Sequence, residues 1–349
     1  MKTLEQPTIL DDKAARNTAT PTRHATAAVL TFTQQELCEI LGVERGDIGH
    51  FMRNAVRKAI DIIRYESREM KGEAKIGYGG QLDDIVTSGD RLAQVMYEAE
   101  IRKQFPLFGI IGEENGLRVL CRIPDHDVDL TVDSLDGTKA HWRKQSHGVG
   151  SMLALVVDGV VVAVCIGDVN TGEIFCFDAT FDKPGVAHRI RFDYDHQLLA
   201  KTDTPLRDQY IYTRRHTLNE LPWVQRFIAP KKFGGFFREI EVSGGSIGTS
   251  IARLWKGEVG AAILDPGHKT PWDVAPVVGL CKWLGFKLFT IHTAPVYEEG
   301  GQRPTLLTED KRPLSKEVVK NDYGTLIIHE SYVDELFTWI DEHAEELFV

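Results

Sequence analysis

The run GVGSMLALVVDGVVVAVCIGDVNTGEIFCFDA occupies residues 148–179. Its apolar segments are separated by Asp158-Gly159 and by Asn170-Thr171-Gly172, which are turn signals, so the run reads as a β-meander. The longest apolar stretch is broken by Asp158-Gly159 and is too short and interrupted to span a bilayer. Any fold for this chain must therefore hold a block of neighbouring antiparallel strands near its middle.

Helical spacing lies on both sides of that block. Residues 33–41 are predicted as a short helix. In IGHFMRNAVRKAIDIIRYESREM (48–70), Phe51, Val56, Ile60, Ile63 and Met70 approximate one helical face, and Gly72 marks its end. The Gly-rich, polar KGEAKIGYGGQLDD (71–84) reads as a mobile loop, with a second helix over about 89–104. FGIIG and DLTVD read as strands running into Glu113-Glu114 and Asp133. SIGTSIARLWK (246–256) reads as a helix opened by Ser246 and closed by Gly257, followed by a strand, VGAAIL. PWDVAPVVGLCKWLG reads as a helix with Pro271 and Asp273 at its start, Pro276 in its first turn and Gly285 at its end. An acidic helix is expected near 332–346, whereas 178–240 shows no clear period. Helices flanking strand-rich middles predict an α/β chain of layered elements with at least one mostly antiparallel sheet. The division expected is a flexible tail over 1–28, an N-terminal lobe over 29–180 and a C-terminal lobe over 181–349, within which 289–349 is an extra segment.

With 349 residues the chain can build one large domain or two lobes. A formal charge of −10, without a Lys/Arg cluster, argues against a nucleic-acid polymer as partner. Anionic small molecules stay compatible with it if metal ions supply positive charge. The five cysteines are odd in number and form no CxxC, which argues against a disulfide framework or a thiolate zinc site. The N-terminal stretch is polar and has no apolar signal core, so the expectation is a cytoplasmic protein with no membrane partner.

Acidic residues recur where strands end and helices begin. Glu113 follows one strand, Asp133 and Asp136 bracket the turn after another, and Asp273 begins a helix. Side chains so placed can converge on one cleft. Three-residue spacing across a tight turn lets Asp133 and Asp136 point to one side, with the Leu135 carbonyl between them as a neutral oxygen. A set of oxygen donors of this kind suits a hard divalent cation such as Mg²⁺.

GEE at 112–114, DSLDGT at 133–138 and WD at 272–273, together with the upstream DDIVTSGD, resemble the inositol monophosphatase family over roughly residues 48–288. That family is part of a Mg²⁺-dependent, lithium-sensitive phosphatase superfamily. The resemblance implies a layered α-β-α-β-α sandwich of the inositol monophosphatase/fructose-1,6-bisphosphatase type, with two or three Mg²⁺ per site and a homodimer as in many relatives. It implies a phosphatase that hydrolyses a small phosphorylated metabolite (a sugar, cyclitol or inositol phosphate). Bisphosphate nucleotidase and histidinol-phosphatase activities are the alternatives, and a non-catalytic relative is a further one. Residue by residue, it implies that Glu113, Asp133, the Leu135 carbonyl, Asp136 and Asp273 ligate metal and that Asp90 contacts a further, weaker one. Thr138 and Asp90, with Glu113, would serve the attacking water. Asp136, Gly137, Thr138, Lys139, Ser246, Asp265 and Lys269 would face substrate. Ser246 reads more as a helix cap than as a ligand, and Lys139 and Lys269 read equally as surface charges. Ser134 stands where the family usually has proline, which costs the turn some pre-organisation. Lys139 stands where inositol monophosphatases commonly have Thr, and where nucleotidases and histidinol-phosphatases more often have Lys.

Overall fold

A computed structural model describes residues 32–347, apart from 79, 83, 193, 199–201 and 298–303. The tail expected at 1–28 lies outside the described residues.

The helices are α1 (Gln34–Leu41), α2 (Asp47–Glu66), α3 (Ser88–Gln104), α4 (Thr138–Trp142), α5 (Pro222–Ile228), α6 (Ile247–Trp255), α7 (Pro271–Trp283), α8 (Val333–Glu342) and α9 (Ala344–Leu347). The helix predicted over 48–70 stops as an α-helix at Glu66 and tightens into a 3-10 turn over Ser67–Glu69 before Gly72. The segment read as a mobile loop over 71–84 opens with a strand, β1 (Gly72–Lys75), and ends where a second, β2 (Asp84–Thr87), begins, the two paired antiparallel. Glycine and polar content hid this pairing, because its partner strand and its packing against Trp142 lie outside the local pattern.

The large sheet contains β3 (Gly109–Gly112), β4 (Arg118–Val119), β5 (Val128–Asp136), β6 (Gly150–Val157), β7 (Val160–Asp168), β8 (Ile174–Asp178), β9 (His188–Arg191) and β10 (Tyr194–Gln197). Its strand order is β10-β9-β8-β7-β6-β5-β3-β4, parallel only between β3 and β5. The expected meander is β6-β7-β8. Asp158 and Gly159 both take positive φ (49° and 80°), as the tight hairpin turn between β6 and β7 requires. Residues of β5 and β6 are buried throughout because helices cover both faces. On one face Val56 and Ile60 of α2 lie against Gly167, and Tyr97 of α3 hydrogen-bonds Ser151 at 2.7 Å. On the other, Gly248 of α6 sits on Met152 and Ile166, and Gly279 of α7 sits on Val161.

The second sheet draws β11 (Tyr210–Thr213), β12 (Glu239–Val242) and β13 (Ala261–Leu264) from the patternless stretch and beyond. A short strand, β14 (Gly267–Lys269), leaves this sheet to pair elsewhere. Next come β15 (Phe286–Tyr297), β16 (Pro304–Glu309), β17 (Val319–Asn321, the partner of β14) and β18 (Gly324–His329). The sheet order is β12-β11-β13-β18-β15-β16. Alternation splits its residues between two cores. Tyr212, Ala262 and Ile327 face the central core shared with α6 and α7, while Ile211, Ile263, Leu326 and Ile328 join an outer core with Phe227 of α5 and Leu336 and Trp339 of α8. The result is five layers, α2/α3, large sheet, α6/α7, second sheet, α5/α8, which is the expected α-β-α-β-α sandwich. The extra segment 289–349 supplies β16, β18 and α8 and so completes the second sheet and its cover. In α7, Pro276 is the sixth helical residue, one turn deeper than expected. The helix loses one backbone hydrogen bond there, and burial between the two sheets holds it.

Candidate active site

The site is built on the end of β5. Asp133 pairs with Met152 across the sheet, but Asp136 pairs with Gly150, so the β5–β6 register shifts between the two acids. That irregularity turns the strand and brings both carboxylates to one place. The turn continues through Gly137, at φ 88°, where a Cβ would come 2.3 Å from the Gly148 carbonyl and 2.6 Å from the Ser246 nitrogen. Only glycine fits. Asp273 arrives from the first turn of α7, whose cap Thr270 donates its hydroxyl to Asp273 Oδ2 at 2.7 Å. One carboxylate oxygen from each of Asp133, Asp136 and Asp273 lies within 4.8 Å of the others.

These acids line a cavity of about 280 Å³ together with Glu113, Leu135, Gly137, Thr138 and Lys139. Asp84, Arg143, Arg214 and Gly245 complete its wall. Lys75 of β1 reaches in with its ammonium 2.9 Å from Glu113, 2.7 Å from Glu114 and 3.7 Å from Asp84. Burial raises the Glu113 carboxyl to about 8, Asp273 adding to the effect and Lys75 opposing it. Burial, then the charges of Glu113, Asp136 and Asp273, push Asp133 well above the usual carboxylate range. Asp136 is raised to about 6 by burial and Asp273, against the hydrogen bonds it accepts from Ser246 and Gly248. Acids crowded in a buried space raise one another's pKa, because each negative charge disfavours the next.

The remaining expected residues surround rather than line this cavity. Asp90 is buried in the first turn of α3. Its Oδ2 accepts from Thr87 N (2.8 Å) and Thr87 Oγ1 (2.5 Å), and its Oδ1 accepts from Thr138 Oγ1 (2.9 Å). Thr138 Oγ1 also donates to the Leu135 carbonyl at 3.1 Å. Ser246 does two jobs: it caps α6 by accepting from Thr249 N at 3.0 Å, and it donates to Asp136 Oδ2 at 2.5 Å. Asp265 lies outside the cavity wall and pairs with Arg215 at 3.2 Å. Lys269 lines a different cavity. Ser134, in place of the family's proline, is buried and donates to the Asp90 carbonyl at 2.9 Å, so a tertiary hydrogen bond anchors the turn to α3.

Sequence reading missed Lys75, Asp84, Arg143 and Arg214. Asp84 could have been found, because it begins the same DIVT strand that leads to Asp90. Arg214 could not: it lies in the patternless stretch, and its place is set by donation to the Gly245 carbonyl at 2.6 Å.

The sequence profile of the inositol monophosphatase family matches residues 47–320. Among solved structures, an IMPase from Thermotoga maritima is similar at a TM-score of 0.58 and 19% identity, over 86% of this chain and 99% of that one. The extragenic suppressor protein suhB of Bartonella henselae is similar at 0.59 and 19%, over 84% and 98%. These likenesses show the fold. Among curated proteins, Nus factor SuhB of Xylella fastidiosa is 32% identical over 92 residues, 26% of this chain and 31% of that protein. Nus factor SuhB of Escherichia coli K12 is 31% identical over 123 residues, 35% and 43%. The chain thus matches less than half the length of these curated relatives.

Proposed function

The chain belongs to the inositol monophosphatase family, and from that premise we propose that it is a Mg²⁺-dependent phosphatase acting on a small phosphate monoester. The observation that carries this reading is the convergence of Asp133, Asp136 and Asp273 beside Gly137 and Thr138. The donor set fits a hard cation. It is all carboxylate and carbonyl oxygen, and Asp133 Oδ1 is buried with no hydrogen-bond partner among the described residues. Glu113, Asp133, the Leu135 carbonyl, Asp136 and Asp273 would hold the ions. Asp84, which lines the cavity where Asp90 does not, would be the peripheral carboxylate. The chemistry supplied by Mg²⁺ there is charge stabilisation of the phosphoryl oxygens and a lowered pKa of water, from about 15.7 toward 7.

The chain's own residues do the rest. Thr138 lines the cavity and directs its hydroxyl proton at Asp90 Oδ1 and the Leu135 carbonyl, which leaves the oxygen able to accept from a water. Asp90 is raised to about 6 by burial, so it can hold a proton passed through Thr138. Its role in this reading is to position and relieve Thr138, not to ligate metal. Lys139, Arg143 and Arg214 give the cavity wall its positive charge and would bind the phosphate and orient the leaving group. Such reactions run on positioning and charge stabilisation, and no Ser or Cys nucleophile is needed.

The test is phosphate release with Mg²⁺ across inositol, sugar, nucleoside-bisphosphate and histidinol phosphates, repeated with chelator. Turnover that survives chelation would overturn the metal mechanism. The second reading is a non-catalytic metal- or ligand-binding relative, with which the curated relatives' name, Nus factor, is compatible because it names no hydrolase. Mg²⁺ binding without turnover of any ester would leave that one standing.

A further inference from the structure

Lys269 is a candidate substrate contact by sequence, yet the fold turns it away from the acidic cavity. It lines a second cavity of about 120 Å³, between α7 and the segment that leads from β16 to β17. The walls are apolar: Val274 and Val278, one turn apart on α7, face Leu288 and Leu314. A cavity of about 150 Å³ with such walls encloses a benzene ring; this smaller one takes a short chain, or a ring that stays partly outside it.

The charges at its edge are unbalanced. Lys269, Lys282 and Arg312 stand against one carboxylate, Asp310. Arg312 takes that carboxylate by two bonds, at 2.8 Å from Nε and 2.7 Å from Nη2. Lys269 Nζ shares that same carboxylate only as a looser ion pair, at 3.7 Å, and its contact with Thr325 Oγ1 is a long 3.4 Å, so it keeps donors to spare. An ammonium has three donors to satisfy. Lys269 is half-buried, and burial pulls its pKa below the usual lysine range. An apolar occupant alone would bury that ammonium further without giving it a partner, whereas an anionic head would satisfy it.

We infer that this second cavity binds a small amphipathic carboxylate, its head on Lys269 Nζ and its ring or chain between α7 and Leu314. The site is also connected to the acidic cavity. Thr270 lines the second cavity, caps α7 and donates to Asp273 Oδ2. An occupant therefore touches the residue that orients Asp273. The inference does not depend on the phosphatase reading, since its test is binding.

Benzoate and its neutral isostere benzamide are titrated calorimetrically into the full chain, with the methyl resonances of Val274, Val278, Leu288 and Leu314 followed by NMR. The expected result is that benzoate binds about tenfold or more tighter than benzamide and shifts those methyls. Lys269→Met should weaken benzoate by about tenfold or more with little effect on benzamide, and Val278→Trp, which fills the cavity, should abolish both. The inference is overturned by no benzoate binding at millimolar concentration, by equal affinity for the two ligands, or by binding that persists unchanged in Lys269→Met. The isostere comparison uses the wild-type chain, so a variant that fails to fold leaves the test intact.

Discussion

Thr138 Oγ1 donates to Asp90 Oδ1 at 2.9 Å, joining the first residue of α4 to the first turn of α3 across 48 residues of chain. Asp90 already serves Thr87 in a capping box, so the carboxylate that starts one helix also anchors the residue that starts another. Thr138→Val, which keeps the shape and removes the hydroxyl, should lower kcat by about 10²–10⁴-fold, the range for a lost proton relay. Thr138→Ser should restore most of it. Steady-state kinetics on the best ester from the panel decide this, and a Val variant at wild-type kcat would remove Thr138 from the mechanism.

The buried acids make metal binding visible in stability. Asp133, Asp136 and Asp273 repel one another without a cation. A ligand at about 100 times its Kd stabilises the folded state by about 2.7 kcal/mol, so saturating Mg²⁺ should raise Tm by several degrees over chelator. Asp136→Asn should abolish phosphate release, lose most of that Mg²⁺ shift and melt no lower than wild type in chelator. Melting curves with and without Mg²⁺ check all but the phosphate release. An unchanged Mg²⁺ shift in Asp136→Asn would place the ion elsewhere.

Among the described residues, neither Arg143 nor Arg214 has a carboxylate within 4 Å; Arg143 bonds Gln145 and Arg214 bonds the Gly245 carbonyl. Among the same residues, the only carboxylate within 4 Å of Lys139 is Asp84, at 3.9 Å. Arg143→Ala and Arg214→Ala should each raise KM by about tenfold, corresponding to about 1.4 kcal/mol of binding. The change in kcat should be much smaller for Arg143→Ala, which lies at the exposed end of α4. Equal KM in both variants would mean that these cations do not meet the substrate.

His188 lies between Asp182 and Asp195, 2.9 Å from each, and these partners raise it to about 9 despite the opposing effect of burial. The folded value exceeds the unfolded one, so the imidazolium stabilises fully below pH about 6.5 and the contribution is lost as pH rises through about 9. Allowing for solvent screening, it is worth ~1–2 kcal/mol. His188→Gln should therefore melt about 1–3 °C below wild type at pH 6 and converge with it above pH 10. A constant gap across that range would show that the histidine acts through packing instead.

Much of the fold could be read from local pattern. The β6-β7-β8 meander and α6 with its Ser246 cap follow from apolar spacing and turn residues within a few positions of one another. The candidate acids could be read in the same way, because Glu113 and Asp136 stand at strand ends, Asp133 three residues before one, and Asp273 in the first turn of a helix. The β1–β2 pair could not, since its glycines resemble a loop until the partner strand and Trp142 are in place.

Ser134 and Asp84 mark where local reading stops. The sequence shows that Ser134 is not proline, and so predicts a looser turn; the hydrogen bond to the Asp90 carbonyl that steadies it comes from 44 residues away. It likewise shows acids at positions 84 and 90 of one short motif. Which of them faces the cavity is settled by Thr87 and Thr138, whose hydroxyls occupy the Asp90 carboxylate, and by the strand that points Asp84 inward. The chain by itself determined the strongly periodic elements and which residues can bear the chemistry, because propensity and periodicity act over a few residues. The tertiary structure alone decided that Asp84 and Arg214 join Asp133, Asp136 and Asp273, and that Lys269 serves a second cavity. A side chain's direction depends on register, bulges and hydrogen-bond partners that arrive from distant parts of the chain.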